Sequence, residues 1–174
     1  MQSTRNVVGG RLVVHTPIAG LSVGGSSYTG ILNEPGSNRR TVVAAQIDYR
    51  SNRVTVEAEG AHENQVGDEN AIGGYVQAAY RLSPEWQVAV QGDYLVNRFF
   101  GVSHASVPSL QRHDEVAFAL NYWLTRALVI KGEYHRVNGN RFAMPHPENL
   151  LDAVTTNRLR TTTHLFQFGG QFSF

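Results

Sequence analysis

The 174-residue sequence contains no cysteine, which excludes disulfide scaffolds, thiolate metal sites and cysteine nucleophiles. It also lacks a charge imbalance, because 15 Lys and Arg residues oppose 14 Asp and Glu residues, so composition gives no reason to expect a nucleic-acid partner. No apolar run approaches the roughly 20 residues of a membrane-spanning helix. With 41% hydrophobic residues and a mean hydropathy of -0.27, the averages resemble those of a soluble single-domain protein.

The first 20 residues also lack the continuous apolar segment and small-residue cleavage site of a secretory signal. This leaves a mature form, a fragment and a cytoplasmic chain as open interpretations.

The sequence does show apolar and polar residues in alternation, and this pattern is clearest in the last segment, His164–Phe174. The apolar positions there share one face and are Phe166, Phe168, Phe172 and Phe174. The opposite face carries Gln167, Gln171 and Ser173. A soluble strand rarely places aromatic residues at nearly every position of one face and uncharged polar groups on the other. This pattern indicates a strand with an apolar solvent on one side and water on the other.

The same period of two recurs along the chain, in segments near the ~10 residues with which a tilted strand crosses a bilayer, against ~5 to 6 in soluble sheets. The first two segments are glycine-rich and weaker. The predicted strands before the last one are Val7–His15, Leu21–Tyr28, Val43–Arg50, Val54–Glu59, Gly74–Leu82, Trp86–Asn97, Glu115–Leu124 and Leu128–His135.

Charge is confined to one face of these predicted strands. Unpaired charges in a dry core cost several kcal/mol each, so the charged face requires a wet lumen, whereas the nearly uncharged opposite face suits lipid. In a large barrel such charges set ion selectivity, and in a small one they pair off as a polar plug. The predicted pore-lining residues are Arg11, Asp48, Arg50, Glu57, Glu59, Arg81, Asp93, Lys131, Glu133 and His135.

Aromatic residues and connection lengths give the orientation. Two interfacial girdles are predicted, one with Tyr49, Tyr80, Trp86, Tyr122, Trp123 and Phe174, the other with Tyr94, Phe99, Phe100 and Tyr134. Tight turns are predicted at Pro17–Gly20, Ser51–Arg53, Ser83–Glu85 and Thr125–Arg126. Longer connections are predicted at Ile31–Arg40, Glu63–Asn70, Phe100–His113 and Asn138–Thr163. Because outer-membrane barrels have short periplasmic turns and long external loops, we expect a periplasmic C-terminus.

The alternating segment that ends at Phe174 resembles the C-terminal strand of Gram-negative outer-membrane β-barrel proteins. The resemblance implies an outer-membrane location and implies that the barrel-assembly machinery reads Phe166, Phe168, Phe172 and Phe174 as its signal. Gly74–Leu82 is also similar to strands of general and phosphate-selective porins. The barrel-like pattern covers nearly the whole chain.

The count of about nine segments places the N-terminus on the extracellular side, whereas bacterial single-chain barrels have an even number of strands. Three interpretations follow. In the first, which we favour, the chain is the C-terminal part of a larger porin. In the second, its first weak segment is not a membrane strand, which leaves a closed eight-stranded barrel. In the third, several chains contribute strands to one wall, because an open edge leaves unpaired backbone groups in lipid. The domain is therefore residues 1–174, as a single β-barrel domain or as the C-terminal portion of a larger barrel.

The longest connection contains Pro147–Val154, in which a proline precedes helix-compatible residues and favours one or two helical turns. We hypothesise that this connection constricts the barrel mouth and that Arg141, Arg158 and Arg160 give it a preference for anions. A solvated surface loop is the alternative.

Catalytic and metal-binding sites are not expected. His113-Asp114-Glu115, His62-Glu63 and Ser103-His104 superficially suggest such chemistry, but adjacent strand residues point to opposite faces and do not converge. We therefore predict no enzyme activity, no cofactor and no metal.

The sequence thus predicts an all-β fold, a transmembrane antiparallel up-and-down β-barrel with about eight or nine strands. Its predicted function is a porin-like channel for passive diffusion of small hydrophilic solutes or ions across the outer membrane. The expected partners are outer-membrane lipid, the barrel-assembly machinery, the solutes, and either further copies of the chain or missing upstream strands. The main alternative is a small closed barrel with a structural or adhesive role. An outer-membrane enzyme would need a polar triad at the rim, and a soluble lipocalin-like barrel would carry its charges outside.

Overall fold

Nine β-strands make up nearly all of the chain that the computed structural model describes, which is residues 4–32, 39–65, 69–99, 111–139 and 161–173. They are β1 (Thr4–His15), β2 (Leu21–Leu32), β3 (Arg39–Arg50), β4 (Val54–Gln65), β5 (Glu69–Arg81), β6 (Trp86–Phe99), β7 (Arg112–Trp123), β8 (Leu128–Asn138) and β9 (Thr162–Phe172).

The strands form one sheet in the order β1 to β9, and each is antiparallel to its sequence neighbours. This up-and-down meander is the arrangement that tight turns between consecutive strands favour. The predicted all-β, antiparallel up-and-down fold is therefore confirmed, with nine strands in one sheet.

The ladder register preserves the two-residue period from strand to strand. Val90 of β6 is paired with Ala78 of β5 and Phe118 of β7, so apolar positions face the same way on all three strands. Asp93, three residues further along β6, is paired with Tyr75 and Glu115 and belongs to the opposite face. The sheet thus has an apolar face and a polar face, and a slip of one residue would exchange them.

The apolar face is the exposed one. Among the described residues, the hydrophobic side chains that are buried are only Ala79, Ala117 and Val129. Large apolar side chains exposed on the apolar face include Val43, Ile47, Ile72, Val76, Val88, Val90, Val116, Phe118, Leu120, Ile130, Phe166, Phe168 and Phe172. This is the inverse of a soluble sheet, which covers its apolar face with a second layer.

The polar face is concave. A cavity of about 790 Å³ is lined by residues from every strand from β3 to β9, including Val42 of β3 and Leu165 of β9. Strands so far apart in the sheet can line one cavity only if the sheet curves strongly around it. The curvature encloses the polar side chains and turns the apolar ones outward.

The sheet is not closed within the described residues, since β1 and β9 are not paired with each other. Both strands begin at the end of the sheet where Thr4 pairs with Leu32 and Asn138 with Thr162, and both run toward the tight-turn end. A direct seam between them would therefore be parallel, unlike every other pairing in the sheet.

In three of the tight turns, a side-chain hydroxyl accepts a hydrogen bond from a backbone N–H group. Val54 donates to Ser51 Oγ at 3.0 Å, Trp86 to Ser83 Oγ at 3.2 Å, and Leu128 to Thr125 Oγ at 3.1 Å. Each hydroxyl satisfies a donor at the start of the next strand, which fixes the hairpin at that point.

The structure differs from the sequence prediction in two elements. The first predicted strand, Val7–His15, begins three residues earlier, at Thr4, and is paired with β2. The connection predicted at Glu63–Asn70 is mostly strand, because β4 continues to Gln65 and β5 begins at Glu69. The prediction followed apolar alternation, whereas the backbone ladder continues with polar side chains once the strands leave the apolar band.

Candidate functional site

The polar face carries every residue predicted to line a pore. The ladder places Arg11, Asp48, Arg50, Glu57, Glu59, Arg81, Asp93, Lys131, Glu133 and His135 on this one face of the sheet. Their role in conduction remains a prediction, whereas their common face is a geometric result.

A row of polar side chains crosses the middle of this face. Glu59, Tyr75, Asp93 and Glu115 occupy directly paired positions on β4, β5, β6 and β7. All four line the 790 Å³ cavity. Because directly opposite residues have Cβ atoms about 5 Å apart, the row brings three carboxylates and a phenol together around the concave surface.

Basic side chains on this face are held by polar partners. Arg50 forms an ion pair with Glu57 at 2.6 Å, and Arg40 contacts both carboxylate oxygens of Glu63 at 2.5 and 2.7 Å. Arg11 donates to Gln46 at 2.7 Å, and Lys131 donates to Gln171 at 2.9 Å. Each bond crosses between neighbouring strands or skips one, so these charges brace the sheet across its inner surface.

A compact cluster of histidines and glutamates lies on β7 and β8. Glu115 contacts His113 Nε2 at 3.1 Å and His135 Nδ1 at 2.5 Å, and Glu133 lies 3.4 Å from His135 Nε2. The side chains of His113, Glu115 and His135 are 11%, 18% and 17% exposed. In the described chain no group of three or more His, Cys, Asp or Glu residues could hold a metal ion. The cluster forms a hydrogen-bonded polar layer on the concave face.

Three carboxylates on the polar face have no basic partner among the described residues. Asp93 accepts from the Gln91 amide at 3.0 Å, and Asp48 accepts from the Gln46 amide at 3.2 Å. Glu59 forms no ion pair within the described part of the chain. Because an amide does not neutralise a carboxylate, these three groups leave uncompensated negative charge on the concave face.

The residue pairs that superficially suggested catalysis separate to opposite faces. His113 contacts Glu115 on the polar face, whereas Asp114 pairs with Arg112 on the other face. Similarly, His62 Nε2 lies 3.1 Å from Asn70 Oδ1, while Glu63 binds Arg40 across the sheet. Ser103 and His104 lie outside the described residues.

Sequence reasoning missed several members of the polar face. Arg40, Glu63 and His113 were assigned to connections, although they lie on strands and line or brace the concave surface. Continuing the two-residue period from Asp48 on β3, Glu59 on β4 and Glu115 on β7 would have found them, because strand parity does not stop where the apolar band ends.

One aromatic assignment is wrong. Trp123 was expected in an interfacial girdle, but its position shares a face with Asn121, and the Arg81 guanidinium lies 5.0 Å from its ring centroid. The girdle at this end instead contains Trp86 and Tyr122, whose ring centroids lie 4.4 Å apart. Strand alternation decides the face, and Trp123 is one residue out of phase with Tyr122.

The remaining predicted sites divide between described and undescribed residues. Phe166, Phe168 and Phe172 lie on the apolar face of β9, and Phe168 is 84% exposed. Phe174 and the constriction candidates Arg141, Arg158 and Arg160 lie outside the described residues, as does the predicted helical segment Pro147–Val154. Among the described residues, no helix has the length and hydropathy needed to cross a membrane.

No protein-family model and no curated protein matches this sequence. Among solved structures, the chain is similar to an anion-selective porin from Comamonas acidovorans, with a TM-score of 0.59 and 11% identity over 76% of this chain. It is also aligned with a KdgM porin in complex with disordered oligogalacturonate, at a TM-score of 0.38 and 12% identity over 95% of this chain and 92% of that one.

The matched region spans 38% of the Comamonas porin chain. At this level of identity the likeness concerns the fold alone. It agrees with the strand order, the alternation and the exposed apolar face, and together these establish a porin-like antiparallel β-barrel fold.

Proposed function

We propose that this chain forms the wall of a bacterial outer-membrane channel through which small hydrophilic solutes or ions diffuse passively. The observation that carries the proposal is the inverted polarity of the sheet, with large apolar side chains exposed on one face and a charged, concave surface on the other. A bilayer covers the first face without a second protein layer, and water fills the second.

The chemistry of the lumen supports a role in conduction. The concave face offers carboxylates, amides and guanidinium groups that bind one another. Hydrated solutes are compatible with such a surface because its polar groups can exchange hydrogen bonds with water as a solute passes. We infer that the protein is not an enzyme.

The solved porin from Comamonas acidovorans supports the same class of function, because the fold it shares with this chain forms a channel wall there. Anion selectivity is a property of that protein. On the described polar face of this chain carboxylates outnumber Arg and Lys side chains, and two of them, Asp48 and Asp93, accept hydrogen bonds from amides. The orientation we propose has the tight turns and the C-terminal end of β9 in the periplasm.

Planar-bilayer recording tests the proposal. Purified protein, refolded in detergent and added to a neutral bilayer, is expected to give discrete, stable conductance steps whose size scales with salt concentration. A folded, heat-modifiable protein that gives no steps would contradict the channel and support a closed barrel with a structural or adhesive role. A protein that stays folded and monodisperse in water without detergent would contradict membrane insertion itself.

A further inference from the structure

A group of basic residues interrupts the apolar face at the end of the sheet opposite the tight turns. Arg112 of β7, Arg136 of β8 and His164 of β9 lie on the same face as Phe118, Tyr134 and Phe166, and are here called the outer basic patch. Arg136 and His164 occupy directly paired positions, so their side chains are neighbours.

The contacts of the patch residues leave hydrogen-bond donors of His164 and Arg136 available to a ligand. The Tyr134 hydroxyl and His164 Nδ1 lie 2.7 Å apart, which orients the imidazole and leaves Nε2 for another partner. Arg112 pairs with Asp114 and lies 6.0 Å from the Tyr94 ring centroid. Arg136 is exposed and makes no ion pair or hydrogen bond within the described residues.

The patch lies near the upper edge of the apolar band, within reach of a lipid headgroup. With a rise of ~3.3 Å per residue and a tilt near 40°, the Arg136 backbone lies about 20 Å above Leu128 at the tight-turn end of β8, which is about 5 Å below the top of a band about 25 Å tall measured from Leu128. The long arginine side chain can span that distance and place its guanidinium among the headgroups. Below it, Phe166 and Phe168 are 66% and 84% exposed, and Phe118 is 53% exposed. A charged group at the patch could therefore continue into acyl chains that lie along these rings.

We propose that the outer basic patch binds the phosphorylated headgroup of an anionic lipid in the leaflet next to the long connections. Guanidinium groups bind phosphate oxygens through paired hydrogen bonds, and a histidine adds a further donor. The aromatic rings below supply the apolar surface that the same lipid needs. The inference rests on the proposed membrane placement and adds a specific lipid site to it.

The test uses the full-length protein in neutral detergent micelles, with 1-palmitoyl-2-oleoyl phosphatidylglycerol titrated in and bound lipid counted by native mass spectrometry. We expect saturable binding of one lipid that is at least ten-fold tighter than binding of phosphatidylcholine with the same chains. Arg136→Gln is expected to weaken it about five-fold, the effect of one basic residue near an anionic surface. Arg136→Lys should restore part of the affinity.

The matched control is Arg39→Gln on β3, because Arg39 also points outward at the same end of the sheet but lies outside the patch. Equal losses from Arg39→Gln and Arg136→Gln would overturn the site in favour of general charge attraction. Tight binding of inorganic phosphate that competes with the lipid would overturn the lipid assignment. A protein that folds and conducts in neutral bilayers but shows no preference for the anionic lipid would contradict this inference alone, whereas failure to insert would contradict the proposed function.

Discussion

At the scale of single residues, strand parity decides which solvent a side chain meets. Val90 and Gln91 are adjacent on β6, yet Val90 is exposed among Ala78 and Phe118 whereas Gln91 binds Asp93 on the concave face. Replacing Val90 with arginine should therefore cost about 2 to 4 kcal/mol of folding free energy in a bilayer, because a charge near the midplane loses its hydration. The measurement is urea unfolding in lipid vesicles.

The control for this prediction is Gln91→Arg, which adds the same side chain one residue away. There the new guanidinium meets water and the Asp93 carboxylate, so the unfolding free energy should change by less than about 1 kcal/mol. Equal destabilisation by both substitutions would show that the faces have been assigned wrongly.

A second residue-scale prediction concerns Gly20, in the turn between β1 and β2. Its φ is +82°, and a Cβ there would overlap the Arg50 carbonyl oxygen. Gly20→Ala should lower the unfolding free energy by about 1 to 3 kcal/mol, because both the backbone angle and the contact become unfavourable. Gly60→Ala serves as the control in the same assay, since the space around that glycine is open.

Much of this residue-level pattern could be predicted from sequence. The predicted pore-lining positions of β3 to β8 share a face because a period of two follows directly from strand geometry. Their partners could not be predicted, because the ion pair of Arg40 with Glu63 depends on the stagger between strands. Alternation fixes the face of a side chain but leaves the neighbouring register open.

At the scale of elements, β9 combines an aromatic outer face with an unpaired edge. Phe166, Phe168 and Phe172 lie on one side of it, and β8 is its paired neighbour in the described sheet. We predict that Phe172→Ala combined with Phe174→Ala will slow the assembly of folded barrel in the outer membrane several-fold, since the aromatic pattern is the predicted assembly signal. The measurement is the heat-modifiable fraction in outer-membrane extracts after pulse labelling.

The matched variant for this strand is Gln167→Ala with Gln171→Ala, on the opposite face of β9. It removes side-chain volume without touching the aromatic pattern and should assemble at the normal rate. A similar delay in both variants would assign the effect to the strand as a whole and contradict a face-specific signal.

Elements with strong alternation were predicted well, and glycine-rich ones less so. The sequence of β2 includes Gly24, Gly25 and Gly30, which weaken any pattern of polarity, yet all of them pair in register with β3. The β4–β5 hairpin was underestimated for a related reason. Asn64 pairs with Asn70 above the apolar band, where backbone hydrogen bonds continue and side-chain hydropathy carries no signal.

At the scale of the whole molecule, composition averages two surfaces that face different solvents. The mean hydropathy of -0.27 reflects an exposed apolar face and a charged concave face in one sheet. The odd number of strands makes any direct seam between β1 and β9 parallel. An open wall is unfavourable in lipid because the backbone groups of both edge strands would be unpaired. The wall must therefore be completed either by that parallel seam or by additional strands.

At the same scale, two features of the chain predict opposite ion preferences for the assembled channel. The described lumen carries Glu59, Asp93 and Asp48 without basic partners, which attracts cations, whereas the undescribed Arg141, Arg158 and Arg160 were predicted to favour anions. We expect the lumen carboxylates to dominate, because they surround the concave surface, and the reversal potential in a salt gradient should therefore indicate a preference for cations.

Glu59→Gln combined with Asp93→Asn should shift that reversal potential toward zero, since it removes two central charges without changing side-chain volume. Asp114→Asn is the matched control, because it also removes a carboxylate but on the outer side of the sheet, where Arg112 holds it. That control should leave ion preference unchanged. An anion preference in the unmodified protein would instead assign selectivity to the arginines of the long connection, and deletion of Pro147–Val154 should then reduce it.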